Sequence, residues 1–156
     1  MSKITENKKE QLEKAPSPRL YLEIFEKLKK ENSKEAINVL NEGIKKFPRY
    51  VPLLISLGKQ YFEMKDWDNA IKIFNEVLKI DKENTIAIKF LANSYEEKKE
   101  YVEAIKKYKF LRVFFPQDEE LQKKIEELDV LANPPLSSKE KKILKYKKIL
   151  SKLRNL

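Results

Sequence analysis

The sequence predicts an all-α chain: an α-solenoid of three helix-turn-helix repeats, then a capping helix and a C-terminal basic amphipathic helix. Three observations carry that prediction. Apolar residues recur at a fixed step of 34 positions. Within a unit they follow the i, i+3, i+4, i+7 spacing of one helical face. All seven prolines, Pro16, Pro18, Pro48, Pro52, Pro116, Pro134 and Pro135, lie where those helices begin or end, as an all-helical chain requires, because a proline in a helix interior costs about 3 kcal/mol.

The 34-residue step relates Leu20, Leu54 and Ile88; Ile24, Gly58 and Ala92; Ala36, Ala70 and Ala104; Ile37, Ile71 and Ile105; Leu40, Phe74 and Tyr108; and Gly43, Val77 and Leu111. In the middle unit, Leu54, Leu57, Gly58 and Tyr61 share one face, and Ala70, Ile71, Phe74, Val77 and Leu78 share another after Asp66. Asp66 and Asn69 mark the turn between them. Asn32 with Ser33, Asn84, and Asp118 with Glu119 and Glu120 are helix starts, since short polar side chains cap exposed N–H groups and carboxylates favour the first turn. A small residue lets two helix backbones approach while the large residues a turn away fill the gap, so the Ala and Gly positions set the packing distance.

These residues resemble the tetratricopeptide repeat, whose 34-residue unit has the pattern W-x2-L-G-x2-Y, A-x3-F and P. The middle unit matches through Leu57-Gly58-x2-Tyr61 and Ala70-x3-Phe74, with Leu54 where Trp is typical. The third matches through Leu91-Ala92-x2-Tyr95, Ala104-x3-Tyr108 and Pro116. The first keeps Ala36-x3-Leu40 and Pro48, but Glu23 and Lys27 stand where Leu and Tyr are usual. The resemblance covers residues 17–118, and the short arrangement also looks like small bacterial repeat proteins. It implies a right-handed solenoid with repeats at 17–50, 51–84 and 85–118. Residues 119–132, with Leu121, Ile125, Leu128 and Leu131, read as the cap that a terminal unit needs to cover its apolar face. Residues 1–16 read as a flexible segment.

The formal net charge of +9 is unevenly spread. Residues 134–156 hold seven Lys and one Arg against Glu140 alone, so the tail is strongly basic and the repeats are nearly neutral. The tail restarts after Asn133-Pro134-Pro135 at Ser137-x-x-Glu140, a capping box. Ile143, Tyr146, Ile149, Leu150 and Leu153 then fall on one face, with Lys145, Lys148 and Lys152 opposite. Three readings of it stand open: a further helix packed on the solenoid, a helix that pairs with a partner helix, or an anchor for anionic membrane or nucleic acid through Lys141, Lys145, Lys148, Lys152 and Arg154.

Composition excludes much chemistry. With neither Cys nor His, thiol catalysis, disulfides, imidazole bases and the commonest metal ligands are gone. Gly43 and Gly58, the only glycines, are too far apart for a phosphate-cradling loop and too few for a dinucleotide fingerprint. Carboxylate pairs such as Glu96-Glu97 and Glu119-Glu120 are adjacent on helices and point apart. No enzyme, cofactor, metal or small-molecule substrate is expected. The first sixteen residues hold no apolar run of signal-peptide type, and the most apolar stretch, Val51–Leu57, is far short of the ~20 residues of a membrane span, so a cytoplasmic protein is the expectation.

What remains is a scaffold or adaptor for protein binding. The resemblance implies that the leading helices line a concave groove holding a peptide or helix of a partner. The groove-facing candidates are those not consumed by the packing pattern: Tyr21 and Phe25; Ile55, Lys59 and Phe62; Lys89, Phe90, Asn93 and Glu97. Phe25, Phe62 and Phe90 would make the groove apolar. Lys89 and Asn93, one turn apart, reproduce a pair that some relatives use to hold a C-terminal carboxylate, although the other positions of that clamp are not met in order.

Overall fold

The computed structural model describes residues 10–154, apart from the side chains of Ile149, Lys152 and Leu153. Among the described residues, a short helical stretch at 10–14 is followed by α1 (Pro18–Leu28), α2 (Ser33–Lys46), α3 (Val51–Glu63), α4 (Trp67–Ile80), α5 (Thr85–Glu97), α6 (Tyr101–Phe114), α7 (Glu119–Ala132) and α8 (Ser138–Arg154). Among the described residues there is no strand. Each helix from α1 to α6 packs on the next, and the leading helices also touch across units, α1 with α3 and α3 with α5. The chain is thus an all-α solenoid of three hairpins closed by α7.

Local chemistry starts and stops these helices. The side chains of Ser17, Asn32, Asp66, Asn84 and Asp118 accept hydrogen bonds from the first-turn N–H groups of Leu20, Glu35, Asn69, Ala87 and Leu121. Each satisfies a donor that has no partner within its helix. Pro18 and Pro52 occupy first-turn positions, where a missing N–H costs nothing. The turns inside the second and third hairpins carry Lys65 (φ 59°) and Lys99 (φ 61°) in the left-handed region. The N–H of the next residue then reaches back five positions, Asp66 to the Tyr61 carbonyl and Glu100 to that of Tyr95, both at 2.9 Å.

Three apolar clusters run along the solenoid, one per hairpin and its neighbour. Ala36, Ala70 and Ala104 are wholly buried, as the small-residue register requires. Gly58 lies against the face of Phe74, so a Cβ there would sit 2.7 Å from Phe74 Cζ. In α7, Leu121, Ile125 and Leu128 are buried, whereas Leu131, expected in the same stripe, is exposed. It lies in the last turn, where the chain leaves the solenoid.

Two terminal expectations also change. Residues 10–14 are helical and Leu12 joins the first core cluster, so flexibility does not extend over that part of 1–16; residues 1–9 lie outside the described residues. The tail does form a helix behind its capping box: the Ser137 N–H and hydroxyl donate to Glu140 Oε2 at 2.8 and 2.7 Å, and the Glu140 N–H donates to Ser137 Oγ at 3.3 Å. These bonds hold the Glu140 carboxyl below its ordinary range. Among the described residues α8 packs on no other helix, and Ile143, Leu144, Tyr146 and Leu150 are exposed. Packing of the tail on the solenoid is therefore not what the fold adopts. The seam positions Ile149 and Leu153, and Lys152 opposite, lie outside the described side chains.

Candidate functional site

The leading helices α3 and α5 lie side by side because each packs on α4 and because their own side chains interlock. Ile55, Lys59 and Phe62 are spaced by four and three residues on α3, which sets them on one face. Phe62 meets Phe90 of α5 edge-on at 5.2 Å between ring centroids. Phe90 also stacks on Phe74 at 5.2 Å, and Phe62 meets Trp67 edge-on at 5.0 Å. The Lys59 ammonium stands 5.4 Å from the Phe90 ring centre, a cation–π contact on a half-buried surface. Four of the predicted groove residues, Ile55, Lys59, Phe62 and Phe90, are all half-buried, apolar or aromatic-backed, and open on one side.

A polar patch adjoins them. The Tyr108 hydroxyl lies 2.7 Å from Asn93 Oδ1 and 2.7 Å from Glu96 Oε2. Lys124 of α7 donates to the other oxygen, Glu96 Oε1, at 2.8 Å. Burial first, and the Glu96 carboxylate second, push the Tyr108 phenol well above its ordinary range, so it stays a neutral donor. The one phenol proton serves a single acceptor at a time, the Glu96 carboxylate being the stronger, and Asn93 is held within hydrogen-bond reach of the same hydroxyl. Lys89 and Glu97 are exposed. Lys98 pairs with Asp68 at 2.7 Å and Glu100 at 2.8 Å, tying the start of α4 to the turn after α5.

Tyr21 and Phe25 require correction: both are buried in the first core cluster and do not present a side chain to solvent as groove-facing residues would. Tyr21 lies over Gly43, where a Cβ would sit 2.8 Å from its Cγ, and meets Phe47 edge-on at 6.3 Å. Phe25 belongs to the first core cluster with Leu12. The repeat register did not foresee this, because α1 lies at the end of the solenoid and is wrapped by residues outside the repeat. A cavity of about 390 Å³ at that end is lined by Leu12, Tyr21, Val39 and several carboxylates, and shares only Tyr21 with the predicted groove. Trp67 was missed; its place directly after the Asp66 cap, one residue from the turn, was its only sequence signal.

Among the described residues no group of three or more acidic side chains could hold a metal ion. No helix among them is long and apolar enough to cross a membrane.

Residues 54–83 match the family model of the tetratricopeptide repeat. The chain matches this repeat in its middle unit and shares the fold of tetratricopeptide-repeat domains. It is similar in structure to the first such domain of Spaghetti (RPAP3) bound to the HSP90 peptide SRMEEVD, with a TM-score of 0.64 at 19% identity over 72% of this chain and 90% of that one. It is similar also to the Arabidopsis OM64 domain of the same kind, with a TM-score of 0.62 at 20% identity over 71% and 93%. A double mutant of MamA RS-1 aligns over 97% of this chain and 83% of its own, with a TM-score of 0.71 at 13% identity. No curated protein matches the sequence.

Proposed function

We propose that this protein is a non-enzymatic interaction scaffold that holds a peptide or helix of another protein against α3 and α5. The observation that carries the reading is the half-buried strip of Ile55, Lys59, Phe62 and Phe90, apolar enough to reward burial and bordered by Lys89, Asn93 and Glu97, which can set direction. The likeness to a domain that holds an HSP90 peptide supports the same use of this face here. Lys89, with Asn93 one turn further on, would receive a carboxylate of the bound segment.

The test is selection of peptides from a displayed random library on the full chain, followed by titration of the winners against Ile55→Asp/Lys59→Glu. Loss of at least about tenfold in affinity, or 1.4 kcal/mol, is expected, with the melting temperature nearly unchanged. Winners whose affinity ignores both substitutions would place the binding surface elsewhere and end this reading.

A further inference from the structure

The outer face of α6 departs from its two counterparts. At the repeat step, Lys34 and Asp68 correspond to Val102, Glu42 and Glu76 to Phe110, and Lys45 and Lys79 to Val113. Three positions that are charged on α2 and α4 are thus apolar on α6. All three are open to solvent, Val102 at 56%, Phe110 at 45% and Val113 at 72% exposure. Phe110 is held in place edge-on against Phe114 at 5.6 Å. Packing does not explain them, since the core side of α6 is already supplied by Ala104, Ile105, Tyr108 and Leu111.

Charge says what would cover this strip. Lys106 and Lys109 stand exposed among the apolar residues, while the carboxylate on the same helix, Glu103, already pairs with Lys106 at 2.6 Å. A second copy meeting face to face would bring Lys106 and Lys109 against their own kind, and the basic α8 would be repelled likewise. An apolar strip with cations in its middle fits an amphipathic helix whose own apolar stripe is edged with Glu or Asp. A membrane fits it less well, because a surface-seeking helix keeps its cations at the border of the apolar face rather than within it.

We infer that the outer face of α6 is a second docking surface, separate from the groove, for an acidic amphipathic helix of a partner protein. The test uses the full chain and a synthetic 18-residue helix with Leu at i, i+3, i+4, i+7 and Glu along the flanks, read by fluorescence anisotropy at two salt concentrations. Its counterpart with Lys flanks is the control. The variant Phe110→Glu/Val113→Lys gives α6 the residues that α2 and α4 carry, so its fold is already compatible with them. A preference of at least about tenfold for the Glu-flanked helix, lost in this variant and kept in Ile55→Asp/Lys59→Glu, is the expected result. Equal affinity in the α6 variant, or equal affinity for both helices, overturns the inference. So would self-association in sedimentation, or binding to phosphatidylserine vesicles, that the α6 variant abolishes while the wild type ignores the Glu-flanked helix. Ile55→Asp/Lys59→Glu, with α6 intact, separates this outcome from failure of the groove.

Discussion

Gly58 and Phe74 form one contact, and the same register holds Ile24 with Leu40 and Ala92 with Tyr108, so each hairpin solves the same gap with a different pair. Alanine at position 58 would gain up to about 1 kcal/mol of helix propensity. Against that, its Cβ would press on a wholly buried ring, and overpacking of this kind costs about 1–3 kcal/mol. Gly58→Ala is expected to lower stability by about 1–2 kcal/mol in urea unfolding, and Phe74→Leu in the same chain to restore part of it through a favourable coupling. Tyr108 carries a pH dependence. Its phenol is raised in the folded chain and ordinary, at about 10, in the unfolded one, so its contribution is complete below pH 10 and is lost as pH rises above it. The groups facing it are Asn93, Glu96 and Glu97, with Lys124 beyond. Wild type should therefore lose stability more steeply between pH 9 and 11 than Tyr108→Phe, which gives up the donated hydrogen bond at the outset; equal slopes would refute this. Burial of a polar residue was not legible at this scale. Gln60 is 5% exposed, and its Oε1 finds no hydrogen-bond partner among the described residues.

At the scale of elements, caps and prolines were legible because they act within a few residues, where sequence is geometry. Asp66, Asn84, Asp118 and the Ser137–Glu140 box all act where their spacing indicated. The turns were less so. Both glycines are spent on helix contacts, and the two left-handed positions hold lysine, which carries a Cβ penalty of about 1 kcal/mol that glycine avoids. Lys65→Gly and Lys99→Gly should each raise stability by about 0.5–1 kcal/mol, because the native φ suits glycine, though its greater freedom when unfolded offsets part of the gain. Calorimetry of the single variants measures this, and a lowered melting temperature in both would contradict it. The tail helix makes a contrary prediction. Since α8 packs on no other helix, a chain ending at residue 133 should melt within about 2 °C of the full chain. A larger fall would mean that the tail supports the solenoid in solution.

For the molecule as a whole, the two proposed docking surfaces of the solenoid have different origins. The proposed groove follows from the repeat: leading helices that share a register share a face, and side chains only partly used in packing against the core stand there. Ile55, Lys59, Phe62 and Phe90, expected on that rule, stand half-buried on α3 and α5, where the middle and third units have neighbours on both sides. Tyr21 and Phe25 obeyed the same rule in sequence and failed it in space, because the end of a solenoid has no preceding unit and residues 10–14 fill the gap. The apolar strip on α6 stood in the sequence as three departures from the repeat, but only exposure separates a surface residue from a second core face. The sequence by itself determined the all-helical class, the 34-residue period, the helix limits and the basic tail, since these depend on neighbours within one or two turns and on a repeated step. Tertiary structure alone decided which apolar side chains are covered, at the first helix, along α6 and on the tail, because burial depends on what packs across the chain, and that ends where the repeat ends.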